Sequence, residues 1–327
     1  MIKGKSIFIT GGGGFIGTSI AERLVDDNQI ILYDLNFENN AYQFSRLVGH
    51  PNVRLIEGDI LDLTKLKEVV QPADIVIHLA AIVGVKQVLQ RSRKTIEVNL
   101  IGTSNLLNAV EHNSIERFVF LSTSEVFGSN AYKVGDDANS TFGPTDEARW
   151  SYAISKIAGE HLVQCYHRDC DLPTVIIRPF NIFGPKRVGD HVIIRFLYWA
   201  THNQSLIVHG DGESIRSWCY IDDFCDALMR CLEKDAAVGR TFNIGNSHNT
   251  LTMYELAKRV IQLCGSKSKI VFKEIDYSDV DVRVPNTLKA RKLLDFYPKV
   301  EIDDAILLTK KWYEENFHKI DISYMTT

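Results

Sequence analysis

Across the 327 residues of the chain, the six cysteines (Cys165, Cys170, Cys219, Cys225, Cys231 and Cys264) include no CxxC pair, and the ten histidines show no HExxH or similar ligand spacing. A disulfide framework and a metal site are therefore not expected; buried free thiols in a reducing compartment are. No apolar run approaches the ~18 residues that a membrane-spanning helix needs. The opening MIKGKSIFIT holds an apolar run far too short for a secretory signal. Lys and Arg number 37 against 41 Asp and Glu, a net charge of −4, and no basic run stands out. Neither a nucleic-acid nor a membrane partner is indicated. Internal repeats and low-complexity linkers are also missing. These absences leave a cytoplasmic globular protein as the expectation. The length and a hydrophobic content of 45% suffice for a full core in one large domain or two intimate ones.

What is present is an alternation. Short β-branched runs at 6–10, 29–34, 52–59, 74–81, 117–124 and 174–180 read as strands. They are nearly continuous apolar runs, as strands covered on both faces are. Helical patterns at 15–27, 63–70, 95–112 and 151–169 lie between them. Strand and helix repeated in this way predict an α/β fold, a doubly wound parallel sheet. Beyond about residue 178 the pattern loosens. Residues 180–190 read as loop, 191–203, 253–265 and 304–317 as helices, and 215–223 and 239–245 as strands returning to the sheet. The expected division is a Rossmann-type cofactor domain of 1–178 plus about 213–246. A smaller, interleaved C-terminal substrate lobe of about 179–212 plus 247–327 completes it.

The first strand runs into GGGGFIG, which spaces Gly11, Gly14 and Gly17 three apart. Between a strand and a helix, such glycines permit a tight turn and close approach of backbone to a pyrophosphate. The helix start at Phe15 and Ile16 offers N–H groups and a favourable dipole. Asp34 ends the next strand, about the ~20 residues on at which an acid meets the ribose hydroxyls. A carboxylate there repels a 2′-phosphate, so NAD is favoured over NADP. Asp59 either reaches the adenine or caps a helix.

Two further clusters carry chemistry. LSTSEVFG places Thr123, Ser124 and Glu125 at a strand end, and YAISK places Tyr152 and Lys156 on one helix face. A tyrosine with an ordinary pKa near ~10 becomes a usable base when a nearby ammonium, that of Lys156, and the positive nicotinamide ring favour its phenolate. Lys156 is also suited to hold the nicotinamide ribose.

Taken as a set, these motifs resemble the extended short-chain dehydrogenase/reductases that act on nucleotide sugars. The matching pieces run almost end to end: TGGGGFIG, YDLN, GDI, HLAA, the helix bearing Asn99, STSEVFG, YAISK, RPFNIFGP, GDGESIRSWCYIDD, FNIG and DVRVPNTLKARKLL. The resemblance implies cofactor contacts at Asp59, Ile60, Leu79, Ala80, Ala81 and Asn99 as well as at the glycine loop. It implies a nucleotide-sugar substrate, oxidised first at C4 with Tyr152 as base and Thr123 bonded to the same oxygen. Arg216 and Arg283 match positions that grip the substrate diphosphate, the arginine of the Arg216 segment also serving the carboxylate in the decarboxylases; Asn181 is expected to offer its amide to the sugar or phosphate, and a homodimer built on helices 95–112 and 151–169 is implied too. Thr-Ser-Glu is similar to the run of GDP-mannose 4,6-dehydratases and also to that of UDP-glucuronate decarboxylases, which RWSYAISK resembles as well. The dTDP-glucose 4,6-dehydratases carry Asp where this chain has Ser124, so the general acid stays open. The first expectation is a 4,6-dehydratase of a UDP-sugar such as UDP-N-acetylglucosamine, with Glu125 removing the C5 proton and Ser124 helping the C6 oxygen leave. A UDP-glucuronate decarboxylase is the second, a 4-epimerase the third, and a non-catalytic NAD-binding regulator the alternative from another class.

Overall fold

The computed structural model describes residues 2–111, 113–275, 277 and 279–323. The expected helix 95–112 thus ends, at His112, outside the described residues. Seven parallel strands form the main sheet: β1 (Ser6–Thr10), β2 (Gln29–Asp34), β3 (Val53–Glu57), β4 (Ile75–His78), β5 (Arg117–Leu121), β6 (Thr174–Pro179) and β7 (Arg240–Ile244). Their spatial order is β7-β6-β5-β4-β1-β2-β3. The order reverses between β1 and β4, the switch point beside which open α/β sheets bind ligands.

Alternation along β1 shows why the strands are apolar throughout. Ile7 and Ile9 enter the core on one side of the sheet, and Phe8 enters the core on the other. Both cores are closed by helices, among them α1 (Phe15–Leu24), α2 (Gly102–Val110), α3 (Ser151–Cys170) and α4 (Ile221–Glu233). The helical segment ahead of α2 is not one regular helix. Glu97–Ile101 widens into a π-turn between the short helix Ser92–Ile96 and α2, a feature often found where a helix carries a functional side chain. Asn99 sits in that turn.

One expectation fails here. Of the runs 215–223 and 239–245, only the second returns to the main sheet, as β7 against β6. Ile215–Ser217 instead pairs antiparallel with Thr250–Thr252 and parallel with Val282–Pro285, which in turn pairs with Asn130–Val134. Cys219–Tyr220 pairs with Ile182–Phe183, inside the stretch expected to be loop. The remainder of the run, from Ile221, winds into α4, where Asp222 and Asp223 lie in the first turn and suit the positive helix end. The small mixed sheet built this way carries Arg216 and Arg283 to the C-terminal end of β5, where the chemistry-bearing residues gather.

Candidate active site

Gly11 has φ of +68°, and a Cβ there would lie 2.8 Å from the Ala80 amide nitrogen. Only glycine lets the loop after β1 pass this close to the loop after β4. Gly14 precedes α1 with no side-chain cap, so the first-turn amides of Phe15 and Ile16 face outward without a side-chain acceptor. Asp34 Oδ2 accepts from the Gly13 amide at 2.9 Å and Oδ1 from the Leu35 amide at 2.8 Å. Burial pushes its carboxyl above the usual value, while those amides draw it back. A glycine cradle, a helix start without a cap and an acid anchored to the same loop together fit a dinucleotide.

Behind this loop lies a buried chain of polar groups. Thr10 Oγ1 meets His78 Nδ1 at 2.7 Å, and His78 Nε2 meets Thr103 Oγ1 at 2.9 Å. Thr103 spends its proton on the Asn99 carbonyl, at 2.6 Å. It must therefore accept from Nε2–H, which makes Nδ1 the acceptor for the Thr10 hydroxyl. Thr10 Oγ1 in turn accepts from the Leu79 and Ala80 amides. Burial, reinforced by the nearby Lys156 charge, drives His78 down to about 3, so it stays neutral. Asn99 is fully buried; its amide brackets Ile82 (N to Oδ1 2.8 Å, Nδ2 to O 3.2 Å) and donates to Ser155 Oγ at 3.1 Å. Its side chain thus acts on the site by fixing the loop 79–82 to α3. Asp59 Oδ1 accepts from the Leu61 amide, and the helix after it is capped by Asp62. Ile60 is buried in the core beneath this turn.

Thr123, Ser124 and Glu125 open a single tight turn after β5. Thr123 Oγ1 accepts from the Glu125 amide at 3.1 Å, which leaves the hydroxyl proton free to donate. Burial, with the Glu125 charge, pushes the Tyr152 phenol above its ordinary value, and the Thr123 hydroxyl, Arg149 and Arg187 draw it back only in part. Thr123, Glu125 and Tyr152 therefore do converge. Lys156 is buried, donates to the Leu121 carbonyl at 2.7 Å and lies 4.7 Å from the centre of the Phe120 ring. Burial brings it down to about 7, against the pull of Glu160. The cations acting on Tyr152 are thus Arg149, at the head of RWSYAISK, and Arg187, and not the expected Lys156. Glu160, one turn after Lys156, accepts from Ser122 and from Arg178 Nε at 2.8 Å, and pins α3 to the strands beneath the site. The same i+4 step that links Tyr152 to Lys156 would have found it.

Glu125 is grasped by Arg149, with Nη1 to Oε2 at 2.5 Å and Nη2 to Oε1 at 3.1 Å. Burial raises its carboxyl, but Arg149, then Arg283 and Arg216, outweigh that and hold it below the usual carboxylate range. Arg216 and Arg283 are register partners on adjacent strands. Arg283 donates to the Ser124 carbonyl at 2.5 Å, and its Nη2 is buried with no hydrogen-bond partner among the described residues. Burial lowers it to about 10. Arg216 is also lowered by burial and lies 3.6 Å from Asp279. Asn181, with φ of +43°, donates its side-chain amide to the Ser217 carbonyl at 2.9 Å. Among the described residues, no group of three or more His, Cys, Asp or Glu is placed to hold a metal, and no helix is long and apolar enough to cross a membrane.

Comparison with known proteins agrees with this geometry. The chain is 34% identical to the UDP-N-acetyl-alpha-D-glucosaminuronate decarboxylase of Bacillus cytotoxicus, over 95% of this chain and 98% of that protein. It is 33% identical to the dTDP-D-glucose 4,6-dehydratase of Bos taurus, over 96% and 90%. The fold superimposes on UDP-glucuronic acid 4-epimerase from Bacillus cereus, solved with UDP-glucuronic acid and NAD, with a TM-score of 0.86 at 25% identity over 95% of this chain and 99% of that one. The model of the NAD dependent epimerase/dehydratase family matches residues 7–245. The chain belongs to that family, with NAD as its cofactor and the dehydratases, decarboxylases and epimerases of nucleotide sugars as its relatives.

Proposed function

We propose that the protein decarboxylates a nucleotide-linked hexuronate by way of a 4-keto sugar. NAD, held by the glycine loop and Asp34, would take up and give back the C4 hydride. Thr123 donates its free hydroxyl proton to the sugar O4, and Tyr152, as phenolate, removes the O4 proton. A ketone at C4 makes the C6 carboxylate a β-keto acid. The C5–C6 bond then breaks, CO2 leaves, and the electron pair passes into the enolate. C5 takes a proton from solvent, and Tyr152 returns its own to O4. Carboxylate plus one proton becomes C–H plus CO2, with no net redox change.

The observation that carries this reading is the arginine pair. Like charges directly opposite on neighbouring strands are unfavourable, yet Arg216 and Arg283 face each other and Arg283 keeps a buried donor unpartnered. Glu125 and Asp279 offset part of this charge, and the open donor of Arg283 suits a further anion. Arg283 is tied to the Ser124 carbonyl, beside the reacting turn. The diphosphate hangs from C1, across the ring from the reacting C4, whereas C6 is joined to C4 through C5 alone, so a C6 carboxylate is the anion that suits this end of the site. Decarboxylation also asks for neither a general acid at position 124 nor a strong base at 125. Ser124 is a poor acid, and Arg149 weakens Glu125 as a base.

A second reading, 4,6-dehydration of a UDP-sugar such as UDP-N-acetylglucosamine, is favoured by one fact: Glu125 is held ionised, the form that C5 deprotonation requires. The test is a panel of UDP-, dTDP- and GDP-linked hexuronates and neutral hexoses with catalytic NAD, with mass analysis of the products. Loss of CO2 from a hexuronate is expected. Loss of water from a neutral hexose establishes the second reading, and an unchanged mass with an altered sugar establishes epimerisation.

A further inference from the structure

Arg149 opens the run RWSYAISK, whose spacing gives it no role, and takes no part in the decarboxylation steps. It lies in the turn Ala148–Trp150 that runs directly into α3, three residues before Tyr152. That turn is fixed on its own account: Trp150 is buried, its indole N–H donates to Glu147 at 2.9 Å, and its ring packs on Phe142. The Arg149 side chain is 4% exposed, and its two terminal nitrogens meet the two oxygens of Glu125. A two-pronged arginine–carboxylate bond fixes orientation as well as charge.

We propose that Arg149 is a positioning residue: by gripping both oxygens of Glu125 it holds that side chain ionised and in one orientation beside Tyr152, so that the pair meets the phenol as a single unit with no net charge. This rests on the reading that Glu125 and Tyr152 flank the reacting sugar. The charges around the pair are consistent with it. Glu125 is faced by Arg149, Arg283 and Arg216 and acts on Tyr152. Arg149 is faced by Glu125, Asp279 and Tyr277. On Tyr152 the two partners act in opposite senses, Glu125 disfavouring the phenolate and Arg149 favouring it. Removing either partner alone therefore leaves the other's buried charge less compensated and shifts the phenol; removing both takes away the opposing pair together.

The test uses Arg149→Gln, Arg149→Lys, Glu125→Gln and the double variant Arg149→Gln/Glu125→Gln. Denaturant unfolding between about pH 2 and 7 reads the ionisation of Glu125 with no substrate present. With Arg149 in place, Glu125→Gln costs stability at neutral pH, and the cost shrinks as pH falls through the lowered carboxylate pKa. In the Arg149→Gln background the same substitution no longer costs stability. An equal cost in both backgrounds at every pH overturns the proposal. With the sugar identified by the product panel, Arg149→Gln lowers kcat at pH 7 by about ten- to a hundredfold and moves the acid limb of the kcat profile up by about one pH unit, and Arg149→Lys restores part of both. A role confined to folding would lower stability and leave that limb in place, which also overturns the proposal. If Arg149→Gln does not fold, Arg149→Lys takes its place in the unfolding comparison: single-pronged pairing must shrink the cost of Glu125→Gln, and an undiminished cost is contradictory. If wild type turns over no sugar, the functional reading fails while the unfolding comparison still decides the role of Arg149.

Discussion

Lys156 shows what this site costs the fold. Its ammonium is buried with one carbonyl and one aromatic ring for company, and burial draws it down to about 7. A lysine whose pKa is lowered on folding binds more protons when unfolded. Its penalty is therefore full below about pH 7 and is relieved as pH rises from there towards the ordinary value of 10.5. Lys156→Met should accordingly stabilise the protein at pH 7, by on the order of 2 kcal/mol, and abolish turnover. In urea titrations the gain should shrink above neutral pH; a gain that stays constant up to pH 10 would refute the account of Lys156. Tyr152→Phe should fold and bind NAD as wild type does but lose about 10²- to 10⁴-fold in kcat, the usual share of a general base. The residues with this chemistry were legible in the sequence because motif spacing ties them to element ends and helix faces. The grip of Arg149 on Glu125 was not, because the two lie 24 residues apart and no spacing announces that contact. Nor could spacing show that Asn99 and Asn181 commit their amides to protein groups.

At the scale of elements, the closeness of α3 to β5 depends on a glycine. A Cβ at Gly159 would lie 2.8 Å from Cζ of Phe120, the ring beneath Lys156. Gly159→Ala should therefore force that ring aside, destabilise by about 1–3 kcal/mol, and lower kcat through Lys156. Thermal unfolding paired with turnover checks this, and unchanged values for both would mean that the ring yields freely. The alternation of strands and helices was readable because strands buried on both faces need unbroken apolar runs. The small mixed sheet was not. Its strands Ile215–Ser217 and Thr250–Thr252 have three residues each, too short for a period to register, and their pairing joins segments distant in sequence. The assignment of 215–223 to the main sheet failed for that reason, and with it went the clue that Arg216 and Arg283 stand opposite each other.

At the scale of the whole molecule, the helices expected to meet a second copy carry apolar side chains in the open. Ile101 is 49% exposed and Ile154 38%. A homodimer packed on these helices would cover them, and Ile101→Asp/Ile154→Asp should shift sedimentation from dimer to monomer. A wild type that sediments as monomer would remove the dimer expectation. The sheet order and the glycine cradle fit NAD; the polar cluster at the end of β5 supports the proposed C4 oxidation of a nucleotide sugar, and the arginine pair bears on the proposed fate of its 4-keto form. The most direct measurement uses a UDP-hexuronate labelled isotopically at C6, incubated with the protein and catalytic NAD. The account predicts labelled CO2 released in step with a product that has lost C6, without stoichiometric NADH. Quantitative retention of the label in an epimerised sugar would contradict it.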